Sequence, residues 1–163
     1  MIHIDIIEKY WDERSSTFDE DHATEDTELW RSELQRLCNA RKGLKVLDIG
    51  TGTGFLAIML AELGHDVTGI DISEEMMELG KGHAREKGVY VEFVKGEGES
   101  MPFEDDTFDV IVNCKETYIK YLEEAGYDNP MVLDMDPGLT VKKEGKNGKP
   151  MQHWECVYGE KPM

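Results

Sequence analysis

The stretch Val46–Ala57 reads VLDIGTGTGFLA. It opens as a short apolar run, passes through glycines at 50, 52 and 54, and resumes as apolar residues without a break. That order predicts a buried strand over Lys45–Ile49, a tight turn over Gly50–Gly54 and a helix over Phe55–Leu63, closed by Gly64. Glycine tolerates positive φ and lets the backbone come close to a ligand. A turn from strand to helix at the carboxyl edge of an α/β sheet is where such folds bind small molecules, with the first helical N–H groups facing the ligand.

Outward from this turn the pattern repeats. Asp66–Asp71 (DVTGID) reads as a second strand, with Ser73 as N-cap of a helix that carries Glu74 and Glu75 in its first turn and runs to Lys87. Val89–Val94 (VYVEFV) and Phe108–Asn113 (FDVIVN) read as third and fourth strands. Strands alternating with helices predict βαβ units and a parallel sheet. Upstream, a short helix around Ile4–Trp11 gives way to a polar loop through Ser15, Ser16 and Asp19. A second helix over Thr24–Ala40 carries Trp30, Leu34, Leu37 and Cys38 on one stripe. Downstream, Lys115–Ala125 reads as a helix, Met131–Asp136 and Gln152–Tyr158 as strands, and EGKNGKP as the loop of a hairpin. The expected architecture is one α/β domain over 1–163. Its parts are N-terminal helices or a lid (1–42) and a Rossmann-like, doubly wound core sheet (43–114 and 115–163). All strands are parallel except one at the C-terminal end.

The chain has 163 residues, 39% of them hydrophobic and 33% charged, which describes an ordinary globular domain. Thirty-five acids against eighteen bases give a net charge of −17. That field repels phosphate backbones and anionic membranes, so neither nucleic acid nor a membrane is an expected partner. No apolar run approaches the ~20 residues that cross a bilayer, and the alternating start MIHIDIIEKYWDER is not a secretory signal. Cys38, Cys114 and Cys156 have neither disulfide-framework nor zinc spacing. They read as packing thiols in a reducing cytoplasm, and no metal is expected.

Two acids flank the glycines. Asp48 lies near the end of the first strand, just before the glycines, where a pyrophosphate would approach the helix, and like charges that close cost on the order of several kcal/mol when partly desolvated. This weighs against a dinucleotide, although Gly52–Ala57 fits the G-x-G-x-x-A spacing. S-adenosylmethionine (SAM) carries a sulfonium and an ammonium against one carboxylate and has no phosphate, so an acid-lined pocket suits it. Asp71, ending the second strand, stands at the offset of ~20 residues from which a carboxylate accepts ribose hydroxyls. This suits a dinucleotide and SAM equally.

On these residues the chain resembles the class I SAM-dependent methyltransferases. DIGTGTG looks like their glycine motif. FVKGEGESMPFEDDTFDVIVN is similar to the G-D-A-E-x-L-P-F…FD segment of the type 11 group, and YWDERSSTFD resembles that group's N-terminal helix and loop. The resemblance spans residues 5–114. It implies that Asp48, Gly50, Thr51 and Gly52 surround the methionine part of SAM, that Asp71 binds the ribose, and that Ile72 and Met76 pack near the adenine. It also implies that Glu97, where the family usually has Asp, and Gly98 and Glu99 meet the adenine edge. Asn113 would offer its carbonyl to the methionine amine, and Tyr10 and Phe18 would serve as lid aromatics. The implied activity is methyl transfer to a small molecule with S-adenosylhomocysteine as product.

No catalytic residue is nominated. A general base is needed only if the acceptor must lose a proton; His22 and His153 are the possible bases, and the resemblance implies that Glu116 and Tyr118, just after the fourth strand, face the acceptor. A complete family member continues from the fourth strand through a helix, a fifth strand and a further helix before its final hairpin, whereas this chain has one helix and then the hairpin. It therefore reads as shortened, with about six strands instead of seven. An exposed fourth strand would invite pairing with another chain, so the last strand is expected to pair with it directly. A swapped dimer is the alternative, and a side-by-side homodimer covering the thinned flank is compatible with direct pairing. Two other functions stay open: a SAM-binding protein without transferase activity, and a nucleotide-dependent oxidoreductase.

Overall fold

A computed structural model describes residues 4–23, 26–38, 40–98, 100–113, 128–134 and 155–160. Its elements are α1 (Ile4–His22), α2 (Thr27–Leu37), β1 (Lys45–Ile49), α3 (Phe55–Glu62), β2 (Asp66–Asp71), α4 (Glu74–Lys87), β3 (Glu92–Lys95), β4 (Val110–Asn113), β5 (Asp128–Asp134) and β6 (Glu155–Glu160). Among the described residues they form one six-stranded sheet in the order β3-β2-β1-β4-β6-β5. β1, β2, β3 and β4 run parallel, and β6 is antiparallel to both of its neighbours.

β1 is the central strand. Val46 joins the larger apolar cluster with Trp30, Leu34, Leu56, Leu60 and Val110, whereas Leu47 and Ile49 join Ile70, Phe108 and Ile111 on the opposite face. This alternation is the period of a strand buried on both faces. At its start β1 is pinned to the segment before β4, where the Lys45 N–H donates to the Asp109 carboxylate at 2.8 Å and the Asp109 N–H donates to the Lys45 carbonyl at 2.8 Å. α2 covers the larger cluster with Trp30, whose ring meets Phe55 of α3 edge-on at 5.8 Å.

The direct pairing expected for the last strand is present within one chain: Val110, Ile111, Val112 and Asn113 stand opposite Glu160, Gly159, Tyr158 and Val157. The expected helix over 115–125, Cys114, Glu116, Tyr118, His153 and the EGKNGKP loop lie outside the described residues.

Other boundaries move for identifiable reasons. The predicted break after Trp11 does not occur, and α1 continues to His22. The Ser15 and Thr17 hydroxyls donate to the carbonyls three residues back, so these polar residues are satisfied inside the helix instead of opening a loop. α2 starts at Thr27, not Thr24, because the Asp26 carboxylate caps it by accepting the Leu29 N–H at 3.0 Å. β3 starts at Glu92, not Val89, because the Val89 N–H is spent on the Ala84 carbonyl that closes α4.

α4 lies tight against the glycine turn. A Cβ on Gly80 would stand 2.9 Å from the Phe93 ring and 3.0 Å from the Thr53 carbonyl oxygen, whereas one on Gly82, in the same helix, would meet nothing within 4 Å. Replacing a helical glycine with alanine gains ~1 kcal/mol of propensity, but overpacking a filled site costs ~1–3 kcal/mol. Gly82→Ala is expected to raise the urea midpoint and Gly80→Ala to lower it. Equal shifts in the two variants would contradict the packing described here.

Candidate functional site

The turn between β1 and α3 folds back over the end of β2. The N–H groups of Gly50 and Thr51 both donate to the Ile70 carbonyl, at 2.8 and 3.1 Å, and the Gly54 N–H donates to the Thr51 carbonyl at 2.8 Å. Gly54 takes φ +83°, a left-handed conformation, at the N-cap of α3 and supplies no side-chain cap. The Thr51 side chain drops into a notch on β2, where a Cβ on Gly69 would lie 2.6–2.8 Å from it. Gly69 is therefore part of the site's construction. The sequence signal for it was a glycine inside a strand, which often marks close approach of another backbone or side chain.

Asp71 ties the turn to the next helix. One carboxylate oxygen accepts the Gly52 N–H at 2.8 Å and the other accepts the Ser73 N–H at 2.9 Å. Ser73 caps α4 as the sequence predicted, its hydroxyl accepting the Met76 N–H at 3.2 Å. That hydroxyl also donates to the Asp12 carboxylate of α1 at 2.6 Å, a contact between residues far apart in sequence.

Asp48 lies under the turn and is only 2% exposed. Burial pushes its carboxyl up to about 7, against a hydrogen bond donated by the Thr51 hydroxyl at 2.8 Å; the nearby Asp71 charge pushes the same way as burial, and a backbone hydrogen bond from Ala57 opposes them. Asp48 thus stands at the start of α3, where the helix dipole favours a negative group.

α1 crosses the mouth of this arrangement. The Phe18 ring lies 3.5 Å from where a Gly52 Cβ would be, while Gly50 is exposed with nothing within 4 Å of the same point. Trp11 meets Phe18 edge-on at 6.1 Å and Tyr10 at 5.1 Å, and Tyr10 is half exposed. Lys95 pairs with Glu8 at 2.7 Å, and His83 lies between Asp19 of α1 at 3.1 Å and the Thr53 carbonyl at 3.4 Å.

The structure therefore brings Asp48, Gly50, Thr51, Gly52, Asp71 and Phe18 around one turn. Ile72 is half-buried beside Asp71, and Met76 is buried in the first turns of α4. Glu97 is exposed and Gly98 half-buried after β3, with Gly96 held to the Asp71 carbonyl by its N–H at 2.9 Å. Asn113 ends β4 opposite Ile49 of β1, at the same sheet edge as the turn. Glu99 and the side chain of His22 lie outside what is described. Asp12, Ser73 and Gly69 are the contributors that the motif reading did not assign to the site.

Comparison with known proteins supplies the family context. Residues 46–129 match the family model described as a methyltransferase domain. A demethylmenaquinone methyltransferase of Listeria welshimeri is 39% identical over 87 residues, covering 50% of this chain and 36% of the relative. The chain thus spans about a third of the length of the curated relatives it matches. The magnesium protoporphyrin IX methyltransferase of Synechocystis, solved with bound SAH, superposes with a TM-score of 0.65 at 15% identity, over 96% of this chain and 99% of that one. The [4+2]-cyclase SpnF gives 0.67 at 13% identity, over 96% of each chain. Identities this low establish the fold, and a fold shared by a methyltransferase and a cyclase does not choose a reaction by itself.

The raised Asp48 carboxyl makes stability depend on pH with a definite sign. Between its ordinary value near 3.8 and about 7 the folded chain keeps a proton that the unfolded chain has lost, so stability falls as pH rises through this window and is flat on either side. At ~1.4 kcal/mol per pH unit, the loss is on the order of 4 kcal/mol. Urea unfolding from pH 4 to 8 is expected to show this slope in the wild type and a much weaker one in Asp48→Asn. Parallel pH profiles for the two proteins would rule the assignment out.

Proposed function

We propose that this chain, which belongs to the methyltransferase domain family, transfers the methyl group of S-adenosylmethionine to a small-molecule acceptor. The observation that carries the reading is the pair of carboxylates on the glycine turn: Asp48 beneath it and Asp71 bound to its Gly52 N–H. A turn dressed with acids suits a ligand with positive charge and ribose hydroxyls better than one with a pyrophosphate. The open space above Gly50 and the ring above Gly52 fit a cradle closed on one side by α1.

When bound, the cofactor supplies a methyl group already activated by its sulfonium. The protein's part is then mainly orientation and exclusion of water, which can supply much of the rate. In this reading Asp71 accepts the ribose hydroxyls while two backbone donors hold its carboxylate. Asp48 faces the positive end, and the turn around Gly50, Thr51 and Gly52 lies along the methionine part. Ile72, Met76, Glu97, Gly98 and Glu99 surround the adenine, and the Asn113 carbonyl receives the methionine amine. Phe18 and Tyr10 close the cleft. The name of the Listeria relative makes a demethylmenaquinone the first acceptor to try. The charge of −17 supports action on a small molecule in the cytoplasm, away from anionic surfaces. A side-by-side homodimer along the β5 flank is compatible with this reading.

Calorimetry tests the reading. S-adenosylmethionine and S-adenosylhomocysteine are expected to bind, and Asp71→Ala to weaken both by ~1–3 kcal/mol, the worth of a charged hydrogen-bond partner. A cation beside Asp48 favours its ionised form, so S-adenosylmethionine should bind more tightly as pH rises from 6 to 8 and release protons to the buffer. Wild-type protein that ignores both adenosyl compounds would sink the proposal. Affinity for NAD(H) that falls over the same pH range would point to a phosphate ligand instead.

A further inference from the structure

We propose that Asp12 is a positioning residue that couples the docking of α1 to the orientation of Asp71, acting through Ser73; the inference rests on the adenosyl-binding reading given above. Ser73 connects the two carboxylates by different groups of one residue. Its backbone N–H holds Asp71 at 2.9 Å, and its hydroxyl donates to Asp12 at 2.6 Å while accepting the Met76 N–H. The residue is fully buried, so bulk water cannot take the hydroxyl proton when α1 is in place. Buried polar groups must find partners inside the protein, and here the partner comes from another helix. A hydroxyl bound to a carboxylate at this length is among the stronger neutral-to-charged hydrogen bonds.

The pattern of α1 supports the assignment. Glu8, Asp12 and Asp19 fall on one stripe of the helix, adjacent to the stripe of Ile7, Trp11 and Phe18. Each acid has its own partner: Lys95 for Glu8, Ser73 for Asp12 and His83 for Asp19. The first is an ion pair and the last a histidine–carboxylate contact, both with substantial solvent exposure, and such contacts contribute little. Asp12 alone meets a fully buried partner, and that partner touches the acid assigned to the ribose. The chain Asp12–Ser73–Asp71–Gly52 therefore joins the helix over the cleft to the turn beneath it.

Coupling of this kind is reciprocal. If docked α1 fixes Ser73, and Ser73 fixes Asp71, then a ligand held by Asp71 must also stabilise docked α1. Two readouts test this in the full chain with S-adenosylhomocysteine as probe. Calorimetry is expected to show affinity about tenfold weaker in Asp12→Ala, with an intermediate loss in Asp12→Asn, which keeps an acceptor oxygen. Glu8→Gln should stay within about twofold of wild type, because it removes only an exposed pair. Tryptic cleavage after Lys9 and Arg14, on either side of Asp12, should be slowed by the ligand in wild type and in Ser73→Thr, which keeps the hydroxyl, but not in Asp12→Ala. Unchanged affinity and ligand protection in folded Asp12→Ala overturn the coupling while leaving the adenosyl reading intact. An equal loss in Glu8→Gln also overturns it, since α1 docking in general would then be responsible. Wild-type protein that does not bind the probe overturns both.

Discussion

Asp71 is the point at which separate stretches of chain are held in register. Its carboxylate takes one N–H from the glycine turn and one from Ser73, the N-cap of α4, and its own backbone carbonyl receives the Gly96 N–H beyond β3. Hydrogen bonds to a charged group are worth ~1.5–3 kcal/mol each, so the turn and the start of α4 are both stabilised by the same ion. The geometry works only because neighbouring side chains are absent. Gly69 leaves a notch that Thr51 fills, and Gly80 lets α4 approach the Thr53 carbonyl. A turn carried on three left-handed glycines would otherwise be the least constrained part of the fold; here it is nailed down by what it touches.

The second constraint is electrostatic. Two carboxyl groups share a region partly withdrawn from water, and the more deeply buried one, Asp48, answers by holding its proton towards neutrality. The Thr51 hydroxyl and the Ala57 backbone lessen the cost without removing it. A buried acid in this condition is sensitive to the sign of any charge placed beside it. The same residues that make the site costly to assemble therefore give it a preference between ligands.

The legibility of the sequence followed how local each signal was. The glycine turn, Ser73 as a cap and the end of its helix at Lys87 rest on residues close to one another in the chain, and each lies where periodicity and capping chemistry put it. The pairing of β4 with the last strand followed from the unfavourable energetics of an open edge, applied to the strand order that the family resemblance implied. The break expected in α1 failed because composition cannot tell whether Ser15 and Thr17 will bond to their own helix or leave it. Asp12 went unassigned for a related reason. Its partner Ser73 is distant in sequence, and nothing in YWDERSSTFD distinguishes an acid that faces another helix from one that faces water. The motif marked the segment as belonging to the site, but only the fold shows which side chain makes the connection.

The place of β6 also bears on the order in which the sheet can be completed. β1, β2, β3 and β4 are joined by short crossovers and can assemble as soon as they are made, whereas the far side of β4 is satisfied by residues 157–160. During synthesis from the N-terminus, Val110–Asn113 must wait for a segment that emerges much later. Non-local pairing of this kind is slow to form, and an apolar strand left open in the meantime attracts other chains. A nascent or truncated form ending before Glu155 would therefore have the parallel strands of its sheet in place together with an adhesive flank. Its solubility would depend on how soon the last strand arrives, more than on the strength of the core.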